Sequence, residues 1–234
     1  MSNIPLVFLN GTACDAELWK LVIDKLAYQE VIIESPVEGS SVDDCARLLL
    51  EKLPERFYVA GFSLGAIIAL HMMKRAPERL AGVVLIAVNP LPLSPETIAV
   101  RREALKEAQK MTLRYLIENK LWQNYVAPHQ KNNLQLKAEI IGMGERMGMK
   151  TFLQQSQLSL FREDCRAAFN DFQHPILLIS GQQDKLCLSA WHHDLAASNP
   201  HSKWEDIEYS GHFIPLEAPD ACADFMQAFL AGLK

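Results

Sequence analysis

The 234-residue chain lacks several features that would place it in a special class of protein. It has no apolar run of about 18 residues, so we expect no transmembrane helix and no membrane insertion. No basic segment precedes its first apolar run, Pro5–Leu9, which argues against a secretory signal. The 23 Lys and Arg residues are outnumbered by 28 Asp and Glu residues and form no block, which argues against a nucleic-acid partner.

Cysteine is scarce and scattered, and no CxxC or Cys/His cluster forms a zinc pattern. The count is odd, so a complete disulfide framework is not indicated. We therefore expect reduced, buried thiols in a cytoplasmic protein, and neither a metal nor an organic cofactor. The five residues are Cys14, Cys45, Cys165, Cys187 and Cys222.

The residues that are present fit a globular domain. Hydrophobic residues make up 49% of the chain and charged residues 22%, close to the averages for such proteins. In the first 90 residues, short apolar runs alternate with helical patterns. The runs predict strands over 4–9, 31–34, 57–60 and 82–88, with helices over 16–26, 41–53 and 64–75. Strands that are apolar on both faces and alternate with helices indicate an α/β fold with a mostly parallel sheet flanked by helices.

The middle of the chain has a different pattern. Ser94 and Pro95 are typical of a helix start, and no strand is predicted from there to residue 171. We expect helix breaks near Pro128, at 142–144 and at Gly148. Strands are predicted again over 175–180 and 203–209, with helices over 189–197 and 218–230. The predicted domains are a core, 1–90 and 173–234, and an inserted all-helical cap, 91–172.

The segment Gly61-Phe62-Ser63-Leu64-Gly65 lies between a predicted strand and a predicted helix. This is the context of a nucleophile elbow, in which a tight turn presents a serine hydroxyl above the sheet. The two glycines lack Cβ atoms, so the helix can pack close to the strand. The alternative is a tight turn in which Ser63 only caps the helix.

A serine hydroxyl needs a nearby base, and that base needs an acid to orient it. In this type of site the acid and then the histidine follow the serine, each after a later strand. Asp184 and His212 are in the loops after the two last predicted strands, which predicts the catalytic set Ser63, Asp184 and His212. Taken singly, Asp184 and His212 could be ordinary turn residues.

The oxyanion hole is expected to use two backbone N–H groups. Leu64 starts the helix that follows the serine, so its N–H can face a developing oxyanion. The second donor comes from the loop after the first strand, and Thr12 is the candidate. Cys14 lies near that loop, but we do not expect it to be a second nucleophile.

The predicted cap supplies candidate apolar residues for a substrate pocket. Methionine adapts to varied shapes, and aromatic rings add apolar area. The alternative is that these residues form the core of the cap itself. The candidates are Trp122, Met143, Met147, Phe152 and Phe161.

Four segments carry a family resemblance, namely FLNGTACDAELW, GFSLG, GQQD and SGHFIPLEAP. With them the chain resembles α/β-hydrolases over nearly its whole length, most closely small esterase-like members with an inserted helical cap. These include pimeloyl-ester carboxylesterases, meta-cleavage-product hydrolases, perhydrolases and a lyase of menaquinone synthesis. One difference is Asn10 before Gly11, where many members have histidine, and it bears on the geometry of the oxyanion loop.

The sequence therefore predicts a serine hydrolase that cleaves a small carboxylic ester or thioester through an acyl-enzyme on Ser63. The partner would be a small molecule, and the protein a monomer or homodimer. The same site could instead serve C–C hydrolysis, perhydrolysis, acyl transfer or lyase chemistry, since fold does not fix function. A non-catalytic, receptor-like binding protein is the alternative of a different class.

Overall fold

The fold is built on one six-stranded sheet in which every neighbouring pair of strands is parallel. The computed structural model describes residues 4–233. The strand order is β2-β1-β3-β4-β5-β6. The strands are β1 Leu6–Leu9, β2 Val31–Glu34, β3 Phe57–Phe62, β4 Leu80–Ile86, β5 Ile176–Gly181 and β6 Ser202–Ile207. The predicted parallel α/β fold is thus confirmed.

Helices cover both faces of the sheet, because alternate side chains of each strand point to opposite sides. Leu6 and Phe8 pack in the cluster that contains α1 and α11, whereas Val7 and Leu9 pack with α2 and α3. The helices outside the middle segment are α1 Lys20–Lys25, α2 Val42–Lys52, α3 Leu64–Arg75, α9 Ser189–Ala197, α10 Ile214–Glu217 and α11 Pro219–Ala231.

The middle segment contains five α-helices between β4 and β5, and the structure shows no strand in residues 87–175. Ser94 caps the first of them by accepting a hydrogen bond from the N–H of Thr97. The five are α4 Pro95–Ala108, α5 Leu113–Leu116, α6 Trp122–Tyr125, α7 Leu134–Leu160 and α8 Arg166–Asp171. A wider π-type turn, Ile117–Leu121, joins α5 to α6.

The expected helix break at residues 142–144 is wrong, because α7 runs through it. Gly144 is buried there, and an added Cβ would lie 2.7 Å from Cδ1 of Ile117. Close packing against the neighbouring turn therefore explains this glycine. The helical φ/ψ angles are interrupted only at Gly148, with φ of 81° and ψ of 159°, where a break was also expected.

The strand order places a crevice where a site can form. β1 pairs with β2 on one side and β3 on the other, so the direction in which successive strands are added to the sheet reverses between β1 and β3. Ligands of open parallel sheets bind at the carboxyl ends of strands beside such a reversal. The loops that follow β1 and β3 carry Thr12 and Ser63. Within residues 4–233, no helix combines the length and the apolar character needed to cross a membrane.

Candidate active site

Ser63 occupies a strained turn between β3 and α3. Its φ of 52° and ψ of −109° lie outside the regions that residues with side chains usually adopt. Its N–H donates to the carbonyl of Ile86 at 2.9 Å, which fixes the turn to β4. A Cβ at Gly65 would lie 2.1 Å from the carbonyl oxygen of Leu9, and one at Gly61 would lie 2.4 Å from that of Gly65. Both positions therefore require glycine.

Ser63, His212 and Asp184 form a continuous hydrogen-bonded chain. Nε2 of His212 lies 3.0 Å from Oγ of Ser63, and its Nδ1 lies 2.8 Å from Oδ2 of Asp184. Oδ1 of Asp184 accepts from the N–H groups of Leu186 at 2.7 Å and Cys187 at 3.0 Å. Each oxygen of the carboxylate is thus held, which fixes the imidazole ring against the serine.

The electrostatics of this pair favour a charged imidazole. Burial disfavours the protonated form of His212, but the adjacent Asp184 carboxylate outweighs it and raises the pKa of His212 above its ordinary value. Burial alone would raise the pKa of Asp184, but His212 and the backbone donors lower it. An imidazolium formed when His212 accepts a proton would therefore be stabilised here.

A second, half-buried carboxylate, Glu217, holds the loop that carries His212. It accepts from the N–H groups of Ala127 at 2.7 Å, Gly211 at 3.1 Å and Phe213 at 3.0 Å. Burial raises the pKa of Glu217. Since Ala127 belongs to the inserted helical segment, Glu217 links that segment to the His212 loop. Sequence reasoning missed it, although it lies within the segment SGHFIPLEAP.

The loop after β1 is held by another residue that the sequence did not indicate. Gln155 on α7 is fully buried, and its Oε1 accepts from the N–H of Ala13 at 2.8 Å. Its Nε2 donates to the carbonyl of Pro36 at 2.9 Å. Ala13 has a φ of 56°, so this hydrogen bond supports an unusual backbone conformation beside Thr12. No pattern in the sequence distinguishes Gln155 from its neighbour Gln154.

Asn10 supports the same loop in place of the common histidine. Its Oδ1 accepts from Nε1 of Trp19 at 2.7 Å, and its Nδ2 donates to Oγ of Ser35 at 2.8 Å. Both ends of the amide are thus bonded to side chains. Thr12 and Leu64 line the same cavity as Ser63. Leu64 is the first residue of α3, where a backbone N–H has no partner within the helix.

A cavity of about 340 Å³ opens over Ser63. Of the five candidate pocket residues, Phe152 lines it. The other apolar lining residues come from both the core and the inserted helices. They include Phe62, Ile67, Leu105, Ala108, Leu116, Leu121, Tyr125, Leu160, Leu186 and Phe213.

The other four candidates lie outside this cavity. Trp122 is buried, and its Nε1 donates to the carbonyl of Lys131 at 3.0 Å. Met143 is buried in the apolar cluster and Met147 is half-buried. Phe161 is 55% exposed, with the Arg102 guanidinium 4.9 Å from its ring centre. Of the five, Phe152 is therefore the one that lines the cavity over Ser63.

The remaining histidines do not line the cavity in the described part of the chain. His192 is buried, and its Nε2 accepts from the N–H of Val88 at 2.8 Å, while Nδ1 lies 3.1 Å from the carbonyl of Leu188. Burial lowers the pKa of His192 to about 4, so it stays neutral. Its role is to join the loop after β4 to α9.

Among residues 4–233, one group of three side chains has the donor set of a metal site. Its members are Asp184, Cys187 and His212, whose ligand atoms lie within 4.8 Å of one another. Two of the three are already bonded to each other. Burial raises the pKa of the Cys187 thiol, so it remains protonated and is a poor metal ligand. The geometry therefore suits proton transfer better than metal binding.

Comparison with known proteins agrees with this geometry. A model of the "Alpha/beta hydrolase family" matches residues 6–225. The chain belongs to the α/β-hydrolase family. This α/β-hydrolase is 30% identical to a pimeloyl-[acyl-carrier protein] methyl ester esterase of Xanthomonas oryzae pv. oryzae, covering 97% of this chain and 95% of the relative. It is 25% identical to a protein of the same name from Nitrosomonas europaea, covering 92% and 91%.

Solved structures show the same fold. A thermophilic esterase from Thermogutta terrifontis superposes with a TM-score of 0.87 at 19% identity, covering 98% of this chain and 90% of that one. An enol-lactonase from Burkholderia xenovorans gives 0.83 at 17% identity, covering 98% and 92%. With the family match and the relatives, these structures support an α/β-hydrolase of the esterase-like type.

Proposed function

We propose that this protein is a serine hydrolase that cleaves a small carboxylic ester or thioester through an acyl-enzyme on Ser63. The observation that carries the proposal is the hydrogen-bonded chain from Ser63 through His212 to Asp184, which faces a cavity lined by apolar residues. A serine alone is a weak nucleophile, and this arrangement supplies the base and orienting acid that it needs. The relatives named as methyl ester esterases favour a carboxylic ester.

In the acylation step, Oγ of Ser63 attacks the ester carbonyl while Nε2 of His212 accepts the hydroxyl proton. The Asp184 carboxylate holds the ring and stabilises the imidazolium. The carbonyl oxygen becomes an oxyanion that accepts hydrogen bonds from the N–H groups of Leu64 and Thr12. The imidazolium then protonates the leaving alcohol or thiol, the bond to it breaks, and the acyl group stays on Ser63.

Water completes the reaction by the same route. The oxygen of a water molecule attacks the acyl carbonyl while His212 accepts a proton from that water. The N–H groups of Leu64 and Thr12 then bind the second oxyanion. The proton passes to Oγ of Ser63 as the acyl bond breaks, which releases the carboxylic acid. Every proton is handled by His212, so the proposed reaction uses no metal or cofactor.

The inserted helices would act as a cap that selects the substrate. We assign residues 91–172 to this cap and 1–90 with 173–234 to the core, because lining residues of the cavity come from both. Of these, Phe152, Leu116 and Leu121 belong to the cap, whereas Phe62 and Phe213 belong to the core. C–C hydrolysis, perhydrolysis, acyl transfer and lyase chemistry would use the same three residues with a different acceptor or bond. The products that the protein forms distinguish these four reactions from ester hydrolysis.

The test is labelling of the purified protein with a fluorophosphonate and mapping of the adduct by mass spectrometry. We expect a single adduct on Ser63, no adduct in Ser63→Ala, and a strongly reduced rate in His212→Ala. His193→Ala is the matched control because His193 is exposed and outside the cavity, so its labelling rate should equal that of the unaltered protein. Absence of labelling in folded protein would favour the non-catalytic, ligand-binding alternative.

A further inference from the structure

Arg162 is a buried arginine that lines the same cavity as Ser63 and His212. It follows the C-terminal end of α7, and only 6% of its surface is exposed. Arginine is rarely buried unless another group compensates its charge. The burial of a charged arginine at this position therefore needs a physical explanation.

The hydrogen bonds of Arg162 leave much of its guanidinium unused. Nε donates to the carbonyl of Leu91 at 2.7 Å, and Nη1 has one long contact, 3.4 Å, to the carbonyl of Ser159. Nη2 is buried, and no hydrogen-bond partner for it is found among residues 4–233. A guanidinium has five N–H donors, so several remain free.

The positive charge of Arg162 is also uncompensated. No carboxylate of the described residues forms an ion pair with it, and the charge that acts most strongly on it is the Arg101 guanidinium. Arg101 lines the cavity too. Burial and Arg101 lower the pKa of Arg162 to about 10, so the group stays protonated at neutral pH. Arg166, by contrast, is half-exposed and bonded to the Asp164 carboxylate at 2.5 Å.

We propose that Arg162 binds a carboxylate of the substrate, so that the preferred substrates are half-esters of dicarboxylic acids with an apolar chain between the two ends. The proposal rests on the proposed ester hydrolysis at Ser63 and adds the substrate class. A carboxylate matches the planar fork of arginine and would supply the missing counter-charge. The apolar residues that line the same cavity as Ser63 and Arg162, such as Phe62 and Leu160, suit the intervening chain.

The kinetic test compares two series of methyl esters at pH 7.5. One series contains monomethyl esters of the linear dicarboxylic acids from succinate to suberate, and the other contains methyl esters of linear monocarboxylic acids of equal chain length. We expect kcat/KM for the half-ester to exceed that of its neutral partner by about tenfold or more at one or two chain lengths, because a hydrogen-bonded charge is gained. No preference at any length would overturn the proposal.

The variants Arg162→Met and Arg162→Lys test the assignment to this residue. Arg162→Met should lower the ratio of half-ester to neutral-ester kcat/KM by about 10- to 100-fold. Arg162→Lys keeps the charge but loses the fork, so an intermediate ratio is expected. Arg166→Met is the matched control and should keep the ratio of the unaltered protein. An unchanged ratio in Arg162→Met would contradict the proposal.

A binding measurement separates this proposal from that of ester hydrolysis. Calorimetric titration of Ser63→Ala with monomethyl adipate should show binding that weakens at least tenfold when Arg162→Met is added, with thermal unfolding used to verify that both variants fold. If methyl esters are cleaved without discrimination, only the carboxylate site fails. If no ester is cleaved but Arg162-dependent binding is found, the proposed reaction fails and the site stands.

Discussion

The strand β4 and the helix α4 follow one another in the chain, yet they differ sharply in solvent exposure. All seven residues of β4 are buried, whereas of the 14 residues of α4 only Ala108 is. A strand buried on both faces has an unambiguous apolar pattern, and its neighbours in the sheet are fixed by hydrogen bonds. A mostly exposed helix can be placed by few contacts. The rigid carboxyl ends of the strands therefore carry Ser63, Asp184 and His212, which we propose as the reacting groups. In the same proposal the inserted helices select the substrate that reaches them.

The same difference between buried strands and exposed helices explains which parts of the structure can be predicted from the sequence. Ser63 and Asp184 each follow a buried strand, and His212 follows the edge strand β6. Their common position at the carboxyl ends of the strands therefore follows from the order of strands. Gly61 and Gly65 lie so close to neighbouring backbone atoms that neither position has room for a Cβ atom. The side-chain directions in the inserted helices depend on how α4, α5 and α7 pack on one another. Consequently Trp122 and Met143 lie in that packing although their composition suits a pocket.

Gln155 and Glu217 illustrate a further limit. Glu217 accepts from the nearby Gly211 and Phe213, but it also holds Ala127 across 90 residues, and Gln155 holds Ala13 across 142 residues. Such pairings leave no local pattern. Arg162 is similar, because its burial depends on the contact of α7 with the loop after β4.

The largest effect on the rate should come from a change at Ser63, after the central strand β3. Ser63→Ala removes the proposed nucleophile, and we expect kcat to fall by about 10⁴- to 10⁶-fold, as in other enzymes with this arrangement. Fold and stability should be retained because alanine removes only the Oγ atom. The measurement is the steady-state rate with methyl esters, together with thermal unfolding. Retention of more than a few per cent of the rate would contradict the role of Ser63.

Asp184→Asn tests the proposed electrostatic effect of the Asp184 carboxylate on His212. We expect kcat to fall by about 10³- to 10⁴-fold, because the imidazolium loses its counter-charge and the ring its orientation. His212 must be neutral to act as base, and its pKa is raised, so activity should be lost as pH falls through a midpoint above the usual 6.5.

The pH profile of Asp184→Asn supplies the control for that midpoint. Removing the carboxylate leaves burial as the main influence, which lowers the pKa of His212, so the residual activity should show a lower midpoint than the unaltered protein. Profiles of kcat/KM between pH 5 and 9 measure both. A flat profile in the unaltered protein would exclude His212 as the base.

Gln155→Leu tests whether the inserted helices support the oxyanion loop. The N–H of Ala13 would lose its acceptor, and the loop beside Thr12 would shift, so we expect kcat to fall by about 10- to 100-fold, less than for loss of a donor itself. KM should change little, since the ground-state ester does not use the hole. Gln154→Leu is the matched control because Gln154 donates to the carbonyl of Val37 and does not bond Ala13.

The smallest effect should separate two phenylalanines of the inserted helices. Phe152 lines the cavity, whereas Phe161 is exposed beside Arg102. Phe152→Ala should change the preferred acyl chain length and alter kcat/KM by about tenfold, while Phe161→Ala should stay within about twofold. Methyl esters of increasing chain length give the comparison. Equal effects of the two changes would show that the cavity does not select the acyl chain.

The most direct test of the account is to trap the acyl-enzyme. The protein is mixed with p-nitrophenyl butyrate, quenched in acid within its first turnovers, and digested for peptide mass spectrometry. We predict a butyryl group on Ser63 that survives the acid quench, that is lost when the folded protein stands at neutral pH before the quench, and that is lost more slowly in His212→Ala. Product formation with no acyl group on Ser63 at any quench time, or an acyl group on another residue, would contradict nucleophilic catalysis by Ser63.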